Sequence, residues 1–205
     1  PVRAVSGRSG ASMKEQRRHQ RIRFNAPPPV RFGQARNGGI GRLENLSLGG
    51  LLVSTQLPLK TGEAVGCEFS ILGSLLIDIS AIVVGCVGNL HSVRFQVGPV
   101  SERLLKDEID GALTSGKGSI LSVNELRGRK VMRVAGGLNG SLRNDFMHAL
   151  IKMGVDEIDL SKVTDVDRAG AGLCRIAAQT GRIAIVRPSC RCNDEVATIA
   201  GWPSA

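Results

Sequence analysis

The hydrophobic period of this sequence changes near residue 100, and that change constrains the fold more than any other feature. Between residues 30 and 97, apolar side chains occupy alternate positions in short stretches, separated by turn residues such as Asn37-Gly38-Gly39. The predicted strands are 30–33, 40–44, 51–54, 65–71, 75–87 and 93–97. Short strands at this spacing predict an antiparallel β-barrel rather than a parallel sheet.

A helix is predicted to follow the barrel. Residues 101–114 carry apolar side chains at helical spacing, among them Leu105, Ile109 and Ala112, and Ser101 is a suitable N-cap. The stretch 114–119 is rich in Gly and Ser, which predicts a linker. The predicted organisation is a disordered or non-native leader (1–13), a barrel domain (14–114), a linker (115–119) and a second domain (120–205).

Strand-like and helix-like stretches alternate in the second domain. Strands are predicted at 130–134, 155–160 and 182–186, and helices at 141–153, 170–180 and 193–200. Gly154 and Gly181 follow two of these helices, where glycine commonly ends a helix. The βαβαβα order predicts a layered α/β domain.

The net charge of +9 is concentrated at the start of the chain. Residues 1–23 hold seven Arg or Lys and one Glu, a net charge of +6 and therefore two thirds of the total. A basic arm that binds nucleic acid is one interpretation. However, aromatic residues make up only 3% of the chain, and no helix-turn-helix or zinc-module pattern accompanies the arm. A small anionic ligand fits the arm better than nucleic acid does.

Cysteine use and hydropathy lead us to expect a cytoplasmic protein that neither holds a metal nor inserts into a membrane. Five cysteines is an odd number, which favours reduced thiols over a disulfide framework. The pattern Cys190-Arg191-Cys192 lacks further ligands at metal-binding spacing, so we expect no metal or cofactor. No apolar run approaches the ~20 residues that cross a bilayer, and the N-terminus lacks the apolar stretch of a secretory signal.

Two short motifs carry the chemistry of a candidate site in the barrel domain. Arg17 and Arg21 lie four residues apart, and Asn45, Ser47 and Gly50 follow about a strand pair later. Arginine presents five donors in a rigid fork that suits phosphate and the edge of guanine. Asn and Ser offer short polar groups, and Gly permits close approach of the backbone. Taken separately, the first motif is also typical of a solvated basic arm and the second of a plain β-turn.

Taken in order, the two motifs resemble the RxxxR and D/N-x-S-x-x-G pair of the PilZ domain, a receptor for cyclic di-GMP. A barrel followed by a helix is also the layout of that domain. The resemblance implies that cyclic di-GMP is the ligand. It implies the binding residues Arg17, Arg18, Arg21, Asn45, Ser47 and Gly50. Asn45 is a permitted variant of Asp, and it removes a charge that would face the guanine.

Residues 120–202 resemble the STAS domain of anti-sigma-factor antagonists. The matching stretches are Val134 to Leu138, Ile158 to Ser161 and Val166 to Leu173, of which the last is similar to the family's D-S-S-G-x-G-L loop. In the switching antagonists a kinase phosphorylates the second serine of that loop, and here the position is Ala169. The resemblance implies a protein-interaction surface without a phosphoswitch, formed by Asp167, Arg168, Ala169, Gly170 and Gly172.

These features predict a binding protein rather than an enzyme. His19, His91 and His148 lie far apart in sequence, and no nucleophile lies at catalytic spacing beside any of them. The predicted function is a signalling adaptor: the barrel binds cyclic di-GMP, and the STAS-like domain binds an unknown protein partner. The main alternative is a scaffold that binds proteins without a ligand. A basic arm that binds nucleic acid is a third possibility.

Overall fold

A computed structural model of the chain describes residues 19–33, 38–73, 75–181 and 183, together with the backbone of 185–187. Several predicted features lie outside these residues: the leader 1–13, Arg17, Arg18, the Cys190-Arg191-Cys192 pattern and the helix 193–200. The described part of the chain forms a closed barrel with one long helix, followed by a mixed sheet with helices.

Six antiparallel strands close into the predicted barrel. The chain first forms a two-residue strand, β1 (Arg23–Phe24), which lies outside the barrel. The barrel strands are β2 (Pro29–Gly33), β3 (Gly39–Ser47), β4 (Gly50–Ser54), β5 (Ala64–Phe69), β6 (Ile77–Val87) and β7 (Leu90–Phe95). Around the barrel their order is β2-β3-β4-β7-β6-β5, and each neighbouring pair is antiparallel.

Alternation of apolar and polar residues places the barrel core, as strand geometry requires. In β6 the side chains of Ile77, Ile79 and Ala81 are buried, whereas those of Asp78 and Ser80 between them are exposed. The core is mostly aliphatic, with Phe32, Phe69 and Phe95 among its few aromatic members.

Helix α1 (Pro99–Thr114) packs Leu105, Ile109 and Ala112 into the same core, as its apolar spacing predicted. The start of the helix differs from the prediction, because Gly98 is the N-cap and Ser101 lies inside the helix. Pro99 explains the earlier start. A proline in the first turn has a φ that is already helical, and its missing N–H would have had no helical acceptor.

The second half of the chain forms a mixed sheet of order β1-β8-β9-β10-β11. Its strands after β1 are β8 (Gly118–Leu126), β9 (Arg129–Leu138), β10 (Glu157–Val166) and β11 (Ile185–Arg187). Strand β8 is antiparallel to β1 and β9, whereas β9, β10 and β11 are parallel to one another. The sequence pattern had predicted β9, β10 and β11 but neither β1 nor β8.

Two helical segments connect the parallel strands. Between β9 and β10 the chain forms a 3₁₀ turn (Gly140–Leu142), helix α2 (Arg143–His148) and a π-helical turn (Ala149–Met153). The predicted helix 141–153 is therefore helical throughout but not a regular α-helix. Helix α3 (Arg168–Gln179) lies between β10 and β11. Both segments cover the same face of the sheet, and their apolar side chains share one core with β9 and β10.

The barrel and the mixed sheet are in contact where the chain passes from one to the other. Thr164 of β10 donates a 2.7 Å hydrogen bond from its hydroxyl to the carbonyl oxygen of Leu113 at the end of α1. A Cβ atom at Gly137 would collide with the carbonyl oxygen of Gly116, so the two backbones pass very close to each other. Of the predicted linker residues, Gly118 and Ser119 are buried and begin β8. The exact domain bounds stay a prediction.

None of the helices described is both long enough and apolar enough to span a lipid bilayer.

Candidate functional site

The end of strand β3 carries the Asn-x-Ser part of the second motif. A β-bulge between Leu43 and Asn45 shifts the register against β4, and as a result Leu43 and Leu46 are both fully buried in the barrel core although they lie three residues apart. Neighbouring side chains of a strand point to opposite sides. Asn45 and Ser47, on either side of Leu46, therefore share the outer face of the barrel, although Asn45 is only 5% exposed.

The turn between β3 and β4 holds the glycine of that motif. The hydroxyl of Ser47 donates to the carbonyl oxygen of Gly50 at 3.1 Å, and the amide of Phe95 donates to the carbonyl oxygen of Gly49 at 3.1 Å. A Cβ atom at Gly50 would collide with the carbonyl oxygen of Val93 on β7. Only glycine allows this approach, so the turn is held tightly against the neighbouring strand.

The N-terminal segment lies along the same end of β3. Strand β2 pairs with β3 only as far as Arg42, which leaves the following edge of β3 open. Ile22 pairs there with Leu46 in antiparallel orientation, through N–H to carbonyl bonds of 2.7 and 2.9 Å. Continuing this register by one residue places Arg21 opposite Ser47, and by three residues places His19 opposite Gly49.

One further contact supports that register. The Cδ2 atom of the His19 imidazole lies 3.2 Å from the position that a Cβ atom would occupy at Gly49. The segment that precedes Ile22 therefore crosses directly over the β3–β4 turn. The structure brings Arg21, Asn45, Ser47 and Gly50 into one region, whereas Arg17 and Arg18 lie outside the described residues.

Arg94 is a candidate site residue that the sequence interpretation missed. It pairs with Gly50 across β4 and β7, and its side chain is exposed, between the buried residues Val93 and Phe95. Arg94 therefore lies on the outer face of the barrel beside the turn. The only signal in the sequence was a charged residue at an outward position of a predicted strand, and such residues are common.

This arrangement suits an anionic ligand that also offers hydrogen-bonding edges. Arg21 and Arg94 are both exposed and supply guanidinium groups, which bind phosphate through charge-assisted hydrogen bonds. Asn45 supplies a nearly buried amide that can both donate and accept.

The surface predicted on the second domain differs in character, because part of it serves the fold itself. Asp167 is the N-cap of α3, and its carboxylate accepts a 2.7 Å hydrogen bond from the amide of Gly170. A Cβ atom at Gly170 would collide with the carbonyl oxygen of Leu138. Arg168 and Ala169 are exposed, and a Cβ atom at Gly172 would meet nothing within 4 Å.

The cysteines described have environments that differ widely. Cys67 is fully buried in the barrel, and burial, with a smaller contribution from Asp78, raises the pKa of its thiol to about 12. Cys86 is exposed, and its sulfur lies 3.2 Å from Nδ1 of His91. Within the described residues, no three His, Cys, Asp or Glu side chains are grouped so that they could hold a metal ion.

Comparison with known families agrees with the geometry of the barrel. Residues 15–111, just under half of the chain, match the family model described as the PilZ domain. The match includes both motifs, the six barrel strands and most of α1. The N-terminal barrel of this chain is therefore a PilZ domain. No curated protein matches the chain.

Several solved structures resemble the barrel in part. The PilZ domain of YcgR from Escherichia coli with c-di-GMP is 23% identical, with 47% of this chain and 91% of that domain covered, at a TM-score of 0.40. YcgR from Escherichia coli in complex with c-di-GMP is 27% identical, with 47% of this chain and 45% of that chain covered, at a TM-score of 0.42. The inhibitor of motility MotI/DgrA from Bacillus subtilis is 16% identical, with 48% of this chain and 51% of that chain covered, at a TM-score of 0.40. The chain thus spans about half the length of these two larger proteins.

Proposed function

We propose that the PilZ domain of this chain binds cyclic di-GMP and that the chain is a signalling adaptor rather than an enzyme. One observation carries the proposal: the arginine-bearing segment lies antiparallel to the end of β3, with Ile22 paired to Leu46 and His19 placed over Gly49. Two motifs that are separated in sequence thereby become one surface. The proposed ligand-binding residues are those that the motifs supplied: Arg17, Arg18, Arg21, Asn45, Ser47 and Gly50.

The chemistry of the ligand suits this surface. Cyclic di-GMP is a dianion with two guanine bases, so its receptor needs both positive charge and planar recognition. In the proposed complex, Arg21 binds phosphate or the guanine edge through its guanidinium fork. The amide of Asn45 accepts a guanine N–H, and Ser47 and the amides of the turn complete the contacts. Arg94 adds a second positive charge on the β7 side of the turn.

The mixed-sheet domain is proposed to be the STAS-like output half, which binds a protein partner. Its support is the exposed first turn of α3, where Arg168 and Ala169 face solvent. Ala169 has no hydroxyl group, so a kinase cannot phosphorylate it, and we propose that the barrel's ligand replaces phosphorylation as the signal. The partner is expected to bind along the solvent-facing side of this helix, which Arg168, Gly172 and Arg175 occupy.

Isothermal titration calorimetry of the chain with cyclic di-GMP tests the proposed function. We expect a dissociation constant of about 1 μM or below, which corresponds to about −8 kcal/mol. The Arg17→Ala/Arg21→Ala variant should lose binding, because each arginine contributes a charge-assisted bond of about 1.5–3 kcal/mol. GTP should not compete.

A matched control distinguishes the loss of an arginine–ligand contact from the change in the net charge of the chain. Arg31 on β2 and Arg103 on α1 are both exposed, and Arg31 pairs with Ile40, at the opposite end of β3 from the turn. The Arg31→Ala/Arg103→Ala variant removes the same charge and should bind as the wild type does. If cyclic di-GMP gives no binding heat with the wild-type chain and does not compete with any other ligand, the proposal is wrong. A protein scaffold that binds no ligand is then the better account.

A further inference from the structure

The short segment 22–25 is bonded to both halves of the molecule. On one edge, Ile22 exchanges two backbone hydrogen bonds with Leu46 of the barrel. On the other, Arg23 and Phe24 pair with Ser119 and Gly118 of β8, which belongs to the mixed sheet. One further bond, of 3.2 Å, runs from the amide of Asn25 to the carbonyl oxygen of Lys117. We call residues 22–25 the connecting segment.

Side-chain packing also holds the connecting segment in place. Ile22 is fully buried, Phe24 is almost fully buried, and both are part of the barrel core. A Cβ atom at Gly118 would collide with the side chain of Ile22, so β8 and the connecting segment are in direct contact. Any movement of β8 must therefore displace the residues that follow Arg21.

An ion pair adds a second link to the mixed-sheet domain. Nε of Arg23 donates to one carboxylate oxygen of Asp145 at 2.5 Å, and Nη2 donates to the other at 3.2 Å. Asp145 lies in the first turn of α2, 122 residues from Arg23. A two-bond arginine–carboxylate pair fixes orientation as well as distance. The pair lies two residues from Arg21 and is partly buried, with side-chain exposures of 33% and 43%.

We propose that Asp145 is a positioning residue for the cyclic di-GMP site, so that the mixed-sheet domain forms part of the receptor. The inference rests on the proposed function of the barrel. Asp145 and β8 hold the connecting segment in place, and the segment in turn holds Arg21 beside the turn before any ligand arrives. Ordering a binding segment in advance removes an entropic cost from binding. The coupling is reciprocal, because bound ligand must stabilise the contact between Arg23 and Asp145 to the same extent.

The test is calorimetry of full-length charge-reversal variants with cyclic di-GMP. Asp145→Arg places two like charges together and should weaken binding about ten-fold, which corresponds to about 1.4 kcal/mol. Arg23→Asp alone should weaken binding too. The double variant Arg23→Asp/Asp145→Arg restores an attractive pair and should bind within about three-fold of the wild type. Rescue by the swapped pair is a result that a merely destabilised domain would not give.

The chain offers a matched control for the change in net charge. Lys106 and Asp110 form an exposed ion pair on α1, with an N–O distance of 2.7 Å. Asp110→Arg adds the same charge as Asp145→Arg but should leave ligand affinity unchanged. Should Asp145→Arg fail to fold by circular dichroism, Asp145→Asn keeps the shape and removes the charge, and we then expect about three-fold weaker binding, the size of a partly exposed ion pair.

The outcomes separate this inference from the function on which it rests. A wild-type chain that binds no cyclic di-GMP overturns both. A wild-type chain that binds the ligand, together with Asp145→Arg and Asp145→Asn variants that bind it equally well, overturns only the positioning role of Asp145. Weaker binding that the charge swap does not rescue also contradicts it, because the loss would then not come from the pair.

Discussion

The β3–β4 turn of the barrel and the loop before α3 use similar residues for different purposes. Each combines short polar side chains with glycine: Asn45, Ser47 and Gly50 at the first, and Asp167 at the second, with Gly170 in the first turn of the helix that follows. In the α3 loop the carboxylate caps its own helix, and Gly170 makes room for the carbonyl of Leu138. In the barrel turn, Asn45 shares the outer face with Ser47, and a basic segment crosses over Gly49.

That difference shows why composition alone does not identify a binding site. Asn, Asp, Ser and Gly are common in every turn, because they suit the backbone there. What distinguishes the barrel turn is a second element, distant in sequence, that supplies charge above it. At the α3 loop, by contrast, the exposed charge comes from Arg168 of the helix itself.

The glycines of α3 give the sharpest test of which residues serve the fold. Gly170→Ala should destabilise the mixed-sheet domain by about 1–3 kcal/mol, because its Cβ atom meets a backbone carbonyl that cannot move away easily. Gly172→Ala, two residues along the same helix, should stabilise the domain by about 0.5–1 kcal/mol, because its Cβ atom meets open space. Urea unfolding measures both. Equal effects of the two substitutions on the free energy of unfolding would show that close packing at Gly170 does not determine the stability of the domain.

Two exposed arginines test the difference between the two regions through ligand affinity: Arg94 lies beside the β3–β4 turn, and Arg168 lies at the start of α3. Arg94→Ala should weaken cyclic di-GMP binding about five-fold, a loss of about 1 kcal/mol, since a positive charge beside the turn is removed. Arg168→Ala removes the same charge at the α3 loop and should have no effect on ligand affinity. Calorimetry at low and high salt checks the cause, because a charge effect at an exposed site should shrink as salt rises. An unchanged affinity in Arg94→Ala would remove that residue from the site.

The barrel and its motifs could be predicted from sequence because their information is local. Alternation over a few residues identifies a strand and its buried face, as it did for Ile77, Ile79 and Ala81. Of the proposed site residues, Arg21, Asn45, Ser47 and Gly50 lie in two short motifs that the sequence shows in order, whereas Arg94 lies in neither motif. A bulge that brings both Leu43 and Leu46 into the core was not predicted, since it depends on the pairing with β4.

The contacts between the two halves could not be predicted, because they join residues far apart in the chain. Strand β1 is only two residues long, and its partner β8 begins almost a hundred residues later. Strand β8 was not predicted because it carries polar residues such as Ser119 and Ser122. Polar residues are expected on the surface, but these two are buried in the structure. The pair formed by Arg23 and Asp145 leaves no signal in a single sequence.

Hydrogen–deuterium exchange with and without cyclic di-GMP tests the central claim most directly, because it observes both regions in one experiment. We expect the ligand to slow exchange in peptides that cover residues 19–24 and 45–50, where the arginine segment meets the turn. Protection confined to residues 168–172, or binding without any protection at 45–50, would contradict the account.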